Sequence, residues 1–333
     1  VAFKITLISS LLCGLCLIVF HNILSEKILL SNQYGYVFIL FGCVLILYAL
    51  NNLMMSILNG VKEYKKYVRI NIINSLVGLS FTVLLVFTWG LNGALISLIS
   101  YQSIMFFITF WMLKKCYWIK FFEFKGKFNK IILSKYFHYT LMAVTSALTV
   151  PISQLFIRSY VISNLSINDA GQWEAMNKLS AMYLMIITSS LSVYFLPKLA
   201  ELKKKEEIKR EILKIYKVVL PISFIVLGGV FLLKYYIIRI LFTEDFAAMI
   251  ILFKWQLIGD FFKISAWVLA FNMIAKSMTK TYIFTEILAS VIFVFLSMFF
   301  IDVNGVIGVN QAYMVNYIIY FGVMLIIFRK LLF

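Results

Sequence analysis

Ten stretches of about 20 mostly apolar residues follow one another along the chain, near positions 1–20, 36–58, 70–89, 94–113, 137–162, 171–196, 218–233, 247–272, 282–301 and 306–328. At about 1.5 Å of rise per residue, most are long enough to cross a hydrocarbon core of ~30 Å as an α-helix. Polar residues gather in the gaps. Hydrocarbon offers the backbone no hydrogen-bond partners, so a run of this kind is stable there only as a continuous helix. The pattern predicts an all-α polytopic membrane protein.

Charge adds an orientation. Of 31 Lys and Arg residues, 24 fall on one alternate set of gaps and ends, counting Lys4 at the start of the first run as a flank, whereas the other set holds only Lys27, Lys234 and Arg239. The remaining four, Arg158, Lys178, Lys254 and Lys263, lie inside apolar runs. Basic loops stay on the cytoplasmic side of a membrane. Loops 62–69, 114–135, 198–217 and 276–280 and the C-terminus are therefore expected inside, and loops 163–170 and 302–305 outside. The formal net charge of +17 is mainly this topology signal, reinforced by attraction to anionic headgroups. Spread over separate loops without interleaved aromatic residues, it does not describe a nucleic-acid surface.

Composition agrees: 63% of residues are hydrophobic and 14% charged, against about 25% charged in soluble domains. Residues 114–136, rich in Lys, separate four runs from six. They are expected to be a cytoplasmic linker between an incomplete N-terminal lobe at 1–113 and a six-helix C-terminal lobe at 137–333. Residues 198–217 mix Glu with Lys at helical spacing, which predicts a short amphipathic helix on the inner surface.

The two lobes share a pattern. Shifted by 212 residues, a basic loop, a run, a short turn, a second run and a basic end recur, with Asn92-Gly93 falling on Asn304-Gly305 and Asn74 on Glu286. Lys114-Lys115 and Arg329-Lys330 align after a three-residue gap. The shift spans six helices, an even number, so it relates lobes of like orientation about an axis along the membrane normal. With Val1 already in an apolar run and no signal-peptide features, the repeat leads us to expect two further helices before it. Transporters of this build place substrate between lobes and alternate its access.

Ionisable groups inside such runs are costly in lipid and usually face a cavity or a partner. Pro151, Gln154 and Arg158 lie along one side of the fifth run, and Pro151 removes a backbone donor there. Glu174, Asn177 and Lys178 form a stripe in the sixth. In the eighth, Gln256, Asp260 and Lys263 follow i, i+4, i+7 spacing on one face, with Gly259 admitting a close neighbour, while Lys254 points to the opposite side. Glu286 lies about one and a half turns inside the ninth. One reading is a hydrophilic cavity in which Arg158, Gln154, Lys178, Gln256 and Lys263 receive an anionic headgroup and Asp260, Glu286 and Glu174 neutralise charge or carry protons. The other is a structural seam of local ion pairs, Glu174 with Lys178 and Asp260 with Lys263. Cys13, Cys16, Cys43 and Cys116 offer no tetrahedral set, and His21 and His138 are separated across the membrane. The loops carry no P-loop, nucleophile elbow or zincin motif.

Four segments carry a family resemblance: YTLMAVTSALTVP at 139–151, AGQWEAMNKLSAMYLMIITSSLSVYFLPKLAEL at 170–202, FKWQLIGDFFKISAWVLAFNMIAKS at 253–277 and NQAYMVNYIIYF at 310–321. In this order they resemble the Wzx-type lipid-linked oligosaccharide flippases, which serve O-antigen and enterobacterial common antigen assembly, within the multidrug/oligosaccharidyl-lipid/polysaccharide exporter superfamily. The resemblance implies a two-lobe fold of twelve helices, of which ten are present, in the bacterial inner membrane. It implies alternating-access translocation of undecaprenyl-diphosphate-linked oligosaccharide; no catalysis and no bound cofactor are expected, and Asp260 and Glu286 are the candidates in this sequence for coupling to a proton or cation gradient. The lipid bilayer and, in the same pathway, a polysaccharide polymerase and a chain-length regulator are the implied partners; nucleic acid is not. Two other functions compete: a drug or cation antiporter of the same superfamily, and a membrane polysaccharide polymerase or glycosyltransferase.

Overall fold

The computed structural model describes residues 2–29, 31–114 and 130–332. Among the described residues, every regular element is a helix. Nine are long and apolar enough to cross a membrane. One of these, Tyr64–Leu113, is two helices joined at Gly90, which gives the ten crossings that the apolar runs predict. The chain forms two compact units, Val1–Leu133 and Ser134–Phe333. Residues 115–129 of the expected linker, Cys116 included, lie outside the described residues.

In the first unit α1 (Ala2–Val19) and α2 (His21–Leu29) precede α3 (Gly35–Gly60) and the folded α4 (Tyr64–Leu113). A Cβ on Gly14 would sit 2.7 Å from the Gly42 carbonyl oxygen. These small residues let α1 and α3 approach backbone to backbone, as small residues do where lipid supplies no hydrophobic drive for association.

The second unit begins within α5 (Lys130–Asn164) and contains α6 (Ile167–Ser190), α7 (Leu196–Glu201), α8 (Lys205–Leu232), α9 (Lys234–Leu241), α10 (Phe253–Ala275), α11 (Thr279–Asn304), α12 (Val306–Ile327) and the short α13 (Arg329–Leu332). Ser166 caps α6, its Oγ accepting from the Asp169 N–H at 3.0 Å, and so satisfies one orphan donor. A π-helical turn, Leu191–Phe195, joins α6 to α7. The C-terminal carbonyls of Leu199 and Leu202 at the end of α7 accept from the Lys276 ammonium, the first at 2.7 Å. The basic stretch expected as one short surface helix is instead divided, residues 198–201 closing α7 and residues 205–217 forming the first part of α8, which runs unbroken into the membrane span. Its Glu206 and Glu207 in the first turn complement the helix dipole. The eighth run also begins differently: Glu244–Leu252 is a 3₁₀ segment, and the α-helix starts at Phe253.

Helix α10 is the centre of this unit, packed against α12, α8 and α6. It is apolar nearly all round, which is the pattern of a helix enclosed by others. Gly259 provides the close approach expected of it: a Cβ there would lie 2.5 Å from Tyr313 Cδ1 and 3.1 Å from Met314 Cα on α12.

The repeat is real at its turns but in a different register. Gly90 and Gly305 both adopt positive φ, 55° and 61°. Three residues on, a Cβ at Gly93 would overlap the Leu85 carbonyl, and a Cβ at Gly308 would overlap the Phe300 carbonyl. Each contact reaches back eight residues. Gly90-x-x-Gly93 thus matches Gly305-x-x-Gly308, a shift of 215, and pairing Asn92-Gly93 with Asn304-Gly305 is corrected. The three-residue gap falls before the turn, so the closing basic pairs align without one.

A polar cavity in the six-helix unit

The carboxylate of Asp260 is fully buried in the N-terminal half of α10, where every lone pair must find a donor. Four side chains supply them. Ser180 Oγ on α6 reaches both oxygens, at 3.0 and 2.9 Å, and the Tyr183 hydroxyl donates to Oδ2. From α12 the Tyr313 hydroxyl donates to Oδ1 at 2.7 Å, and Gln256 Nε2, one turn earlier on α10, lies 3.4 Å from the same oxygen. Gln256 in turn accepts from Asn310 Nδ2 at 2.7 Å. The network ties three helices together through one acidic group.

Lys263 is linked to Asp260 through a hydroxyl. Its ammonium donates to the Tyr313 oxygen at 3.0 Å, while that oxygen donates onward to Asp260. The same ammonium lies about 5 Å from three ring centroids, Trp267 at 5.0 Å, Tyr313 at 5.3 Å and Tyr317 at 5.0 Å, a cage that stabilises a cation electrostatically. The expected Asp260–Lys263 ion pair is therefore a relay of two hydrogen bonds, because Tyr313 occupies the space between them.

This relay forms part of the wall of a cavity of about 620 Å³. Helix α5 contributes Ser146 and Gln154, α6 contributes Asn177 and Ser180, and α11 contributes Tyr282 and Glu286. Glu286 accepts from the Tyr320 hydroxyl at 3.2 Å, and the Tyr282 and Ser146 hydroxyls are 2.6 Å apart. The walls combine amides, hydroxyls, one ammonium, one partly exposed carboxylate and at least four aromatic rings. Such a surface offers hydrogen bonds and flat apolar faces together, and polar sites in mostly apolar walls are what small-molecule pockets use for orientation.

Residues 1–251 match the model of a family described as polysaccharide biosynthesis protein. The chain belongs to that family. Two curated relatives, each named Lipid III flippase, one from Escherichia coli (strain K12) and one from Shigella flexneri, are 31% identical over 274 residues. The alignment covers 82% of this chain and 66% of each relative, so the chain spans just under two thirds of their length. Among solved structures, an outward-facing multidrug resistance MATE family transporter of the MOP superfamily superposes with a TM-score of 0.86 at 13% identity, covering 99% of this chain and 76% of that one. A MOP superfamily transporter from Pyrococcus furiosus gives 0.84 at 13% identity, covering 99% and 78%. At that identity the likeness is one of fold: an all-α transporter architecture of the MATE type.

In this member of the polysaccharide biosynthesis family, the structure brings Gln154, Gln256, Asp260, Lys263 and Glu286 together. Four of them line the cavity and Asp260 lies directly behind it. The other expected site residues stand elsewhere. Arg158 and Lys178 are exposed side chains off the cavity wall, and Glu174 is half-buried and likewise off it. Glu174 and Lys178 form no ion pair, and α6 turns Asn177 and Ser180, rather than these two, towards the cavity. Lys254 points away from the cavity as its spacing predicts and stacks on Trp255 at 4.9 Å. The sequence reading missed Ser180, Tyr183 and the Tyr313–Tyr317–Tyr320 series. The i, i+4, i+7 spacing of those tyrosines in NQAYMVNYIIYF was the available signal.

Proposed function

We propose that this protein is a flippase that moves an undecaprenyl-diphosphate-linked oligosaccharide across the bacterial inner membrane by alternating access, with no bond made or broken. The observation that carries this reading is a polar, aromatic-walled cavity at membrane depth in a chain 31% identical to Lipid III flippases over 82% of its length. A sugar head and a diphosphate cannot cross hydrocarbon unaided, because each unpaired polar group there costs several kcal/mol, on the order of 2–7. Ring faces of Trp267, Tyr317 and Tyr282 suit the apolar faces of sugars, and Gln154 and Asn177 suit their hydroxyls. Arg158, one turn beyond Gln154 on α5, exposed off the cavity wall and without an ion-pair partner among the described residues, is the group we assign to a diphosphate held outside the walls that take the sugar; its planar fork binds phosphate bidentately.

The basic loops and the C-terminus face the cytoplasm in this reading. Coupling to a proton or cation gradient falls to Glu286 or Asp260. Glu286 is better placed, since one hydroxyl holds it on the cavity wall, whereas four donors lock Asp260. A polysaccharide polymerase and a chain-length regulator are the pathway partners.

The test is accumulation of lipid-linked oligosaccharide in a flippase-deficient strain carrying each variant at matched membrane abundance. We expect Arg158→Ala to stop flipping with normal folding and Arg158→Lys to restore it in part. Undiminished flux through Arg158→Ala removes the arginine from the mechanism. Export of small cations independent of any lipid carrier would replace the flippase reading by the antiporter one.

A further inference from the structure

On the flank of α10 away from the polar cavity lies a second hollow, a groove of about 460 Å³ between α8 and α10. Its two sides are helical stripes of i, i+7 extent, Phe224 to Phe231 on α8 and Lys254 to Phe261 on α10. Seven residues of helix rise about 10 Å, so the groove runs along the helix axes for that distance. Because the helices are antiparallel, Phe231 and Lys254 share one end and Phe224 and Phe261 the other. Gly228 creates the space: nothing lies within 4 Å of where its Cβ would be. The groove opens sideways, with Phe224 72% exposed and Phe231 39% exposed, on helices long enough to span a bilayer.

Among the described residues that line it, Lys254 alone is charged. It stands in the first turn of α10, at the same end of the groove as Phe231, which is one residue from the end of the α8 span at Leu232, and so near one membrane interface. A second ammonium joins it: Lys234 lies 4.3 Å from the ring centroid of Phe231. Among the described residues neither lysine pairs with a carboxylate, Glu244 and Asp245 of the 3₁₀ segment that precedes α10 included. An apolar channel of chain width with two unneutralised cations at its interfacial mouth is complementary to one kind of molecule, a lipid with a hydrocarbon tail and an anionic head.

We infer that this groove binds an anionic phospholipid of the phosphatidylglycerol type, one acyl chain lying between α8 and α10 and its phosphate held by Lys254 and Lys234. The polyprenyl tail of a carrier whose head occupies the polar cavity is disfavoured as occupant, because α10 separates the two sites: Gln256 faces one and Leu257 the other. The inference is independent of the transport reading and of which leaflet the lysines face.

Photo-crosslinking of the protein in phosphatidylcholine nanodiscs decides it, using trace phosphatidylglycerol or phosphatidylcholine with a diazirine in the acyl chain and peptide mapping by mass spectrometry. We expect the phosphatidylglycerol probe to label segments 224–231 and 254–261 several-fold more than the phosphatidylcholine probe. Lys254→Gln with Lys234→Gln should bring the two probes level. Gly228→Leu, whose side chain enters open space, should remove labelling of both segments with an unchanged melting temperature. Equal labelling by both probes in the unaltered protein means unspecific boundary lipid and overturns the inference, as does full labelling of Gly228→Leu. Loss of labelling to excess polyprenyl diphosphate, but not to equal excess of unlabelled phosphatidylglycerol, overturns it in favour of the carrier.

Discussion

Tyr313 shows how a residue with no charge can hold a charged site in place. Its hydroxyl accepts from Lys263 and donates to Asp260, and its ring fills the space left by Gly259. Tyr313→Phe preserves the packing and removes both hydrogen bonds. A buried group that loses a partner costs about 1–3 kcal/mol, so we expect a lower melting temperature together with a marked fall in oligosaccharide flux. Glu174→Gln, off the cavity wall, should leave both near wild-type; equal damage from the two substitutions would contradict the site described above. The sequence makes Gln256, Asp260 and Lys263 legible because charge and amide at helical spacing in an apolar run imply a partner. It leaves Tyr313 hidden, since a tyrosine in such a run reads as ordinary core. It also places Arg158 and Lys178 with the others, because periodicity gives the angular relation of residues on one helix but not which neighbour each face meets.

Each helical hairpin marked by a Gly-x-x-Gly pair turns on two separate demands. The first glycine supplies positive φ, as at Gly305. The second, as at Gly308, lets one helix start against the carbonyl of the preceding one. Backbone cannot yield as a flexible side chain can, so Gly308→Ala must displace α11 from α12. Overpacking of this kind costs about 1–3 kcal/mol. Gly322→Ala, where no atom lies within 4 Å of the added methyl, serves as the control and should be neutral. Melting temperatures of the purified variants compare them, and equal values would mean that the α11–α12 turn is not constrained as seen. At this scale the run lengths and turns of the fold are legible in hydropathy alone. The continuity of α8 and the 3₁₀ entry to α10 are not: both depend on how a segment packs, and the mixed Glu and Lys pattern of 198–217 is equally compatible with a free surface helix and with the start of a longer one.

For the whole molecule the dominant feature is the distribution of positive charge, 24 Lys and Arg on one set of loops against three on the other. An anionic inner-leaflet surface attracts basic residues by about 1 kcal/mol each, so an inverted arrangement forfeits the larger sum and is strongly disfavoured during insertion. Ten crossings, with α4 counted as two, place Lys204 and Ile167 on opposite faces. Both positions are exposed, which makes them reporters that require no unfolding. In a background lacking Cys13, Cys16, Cys43 and Cys116, an impermeant maleimide should label Ile167→Cys in intact cells and Lys204→Cys only after the membrane is opened. Labelling of Lys204→Cys from outside would invert the topology that the loop charges imply.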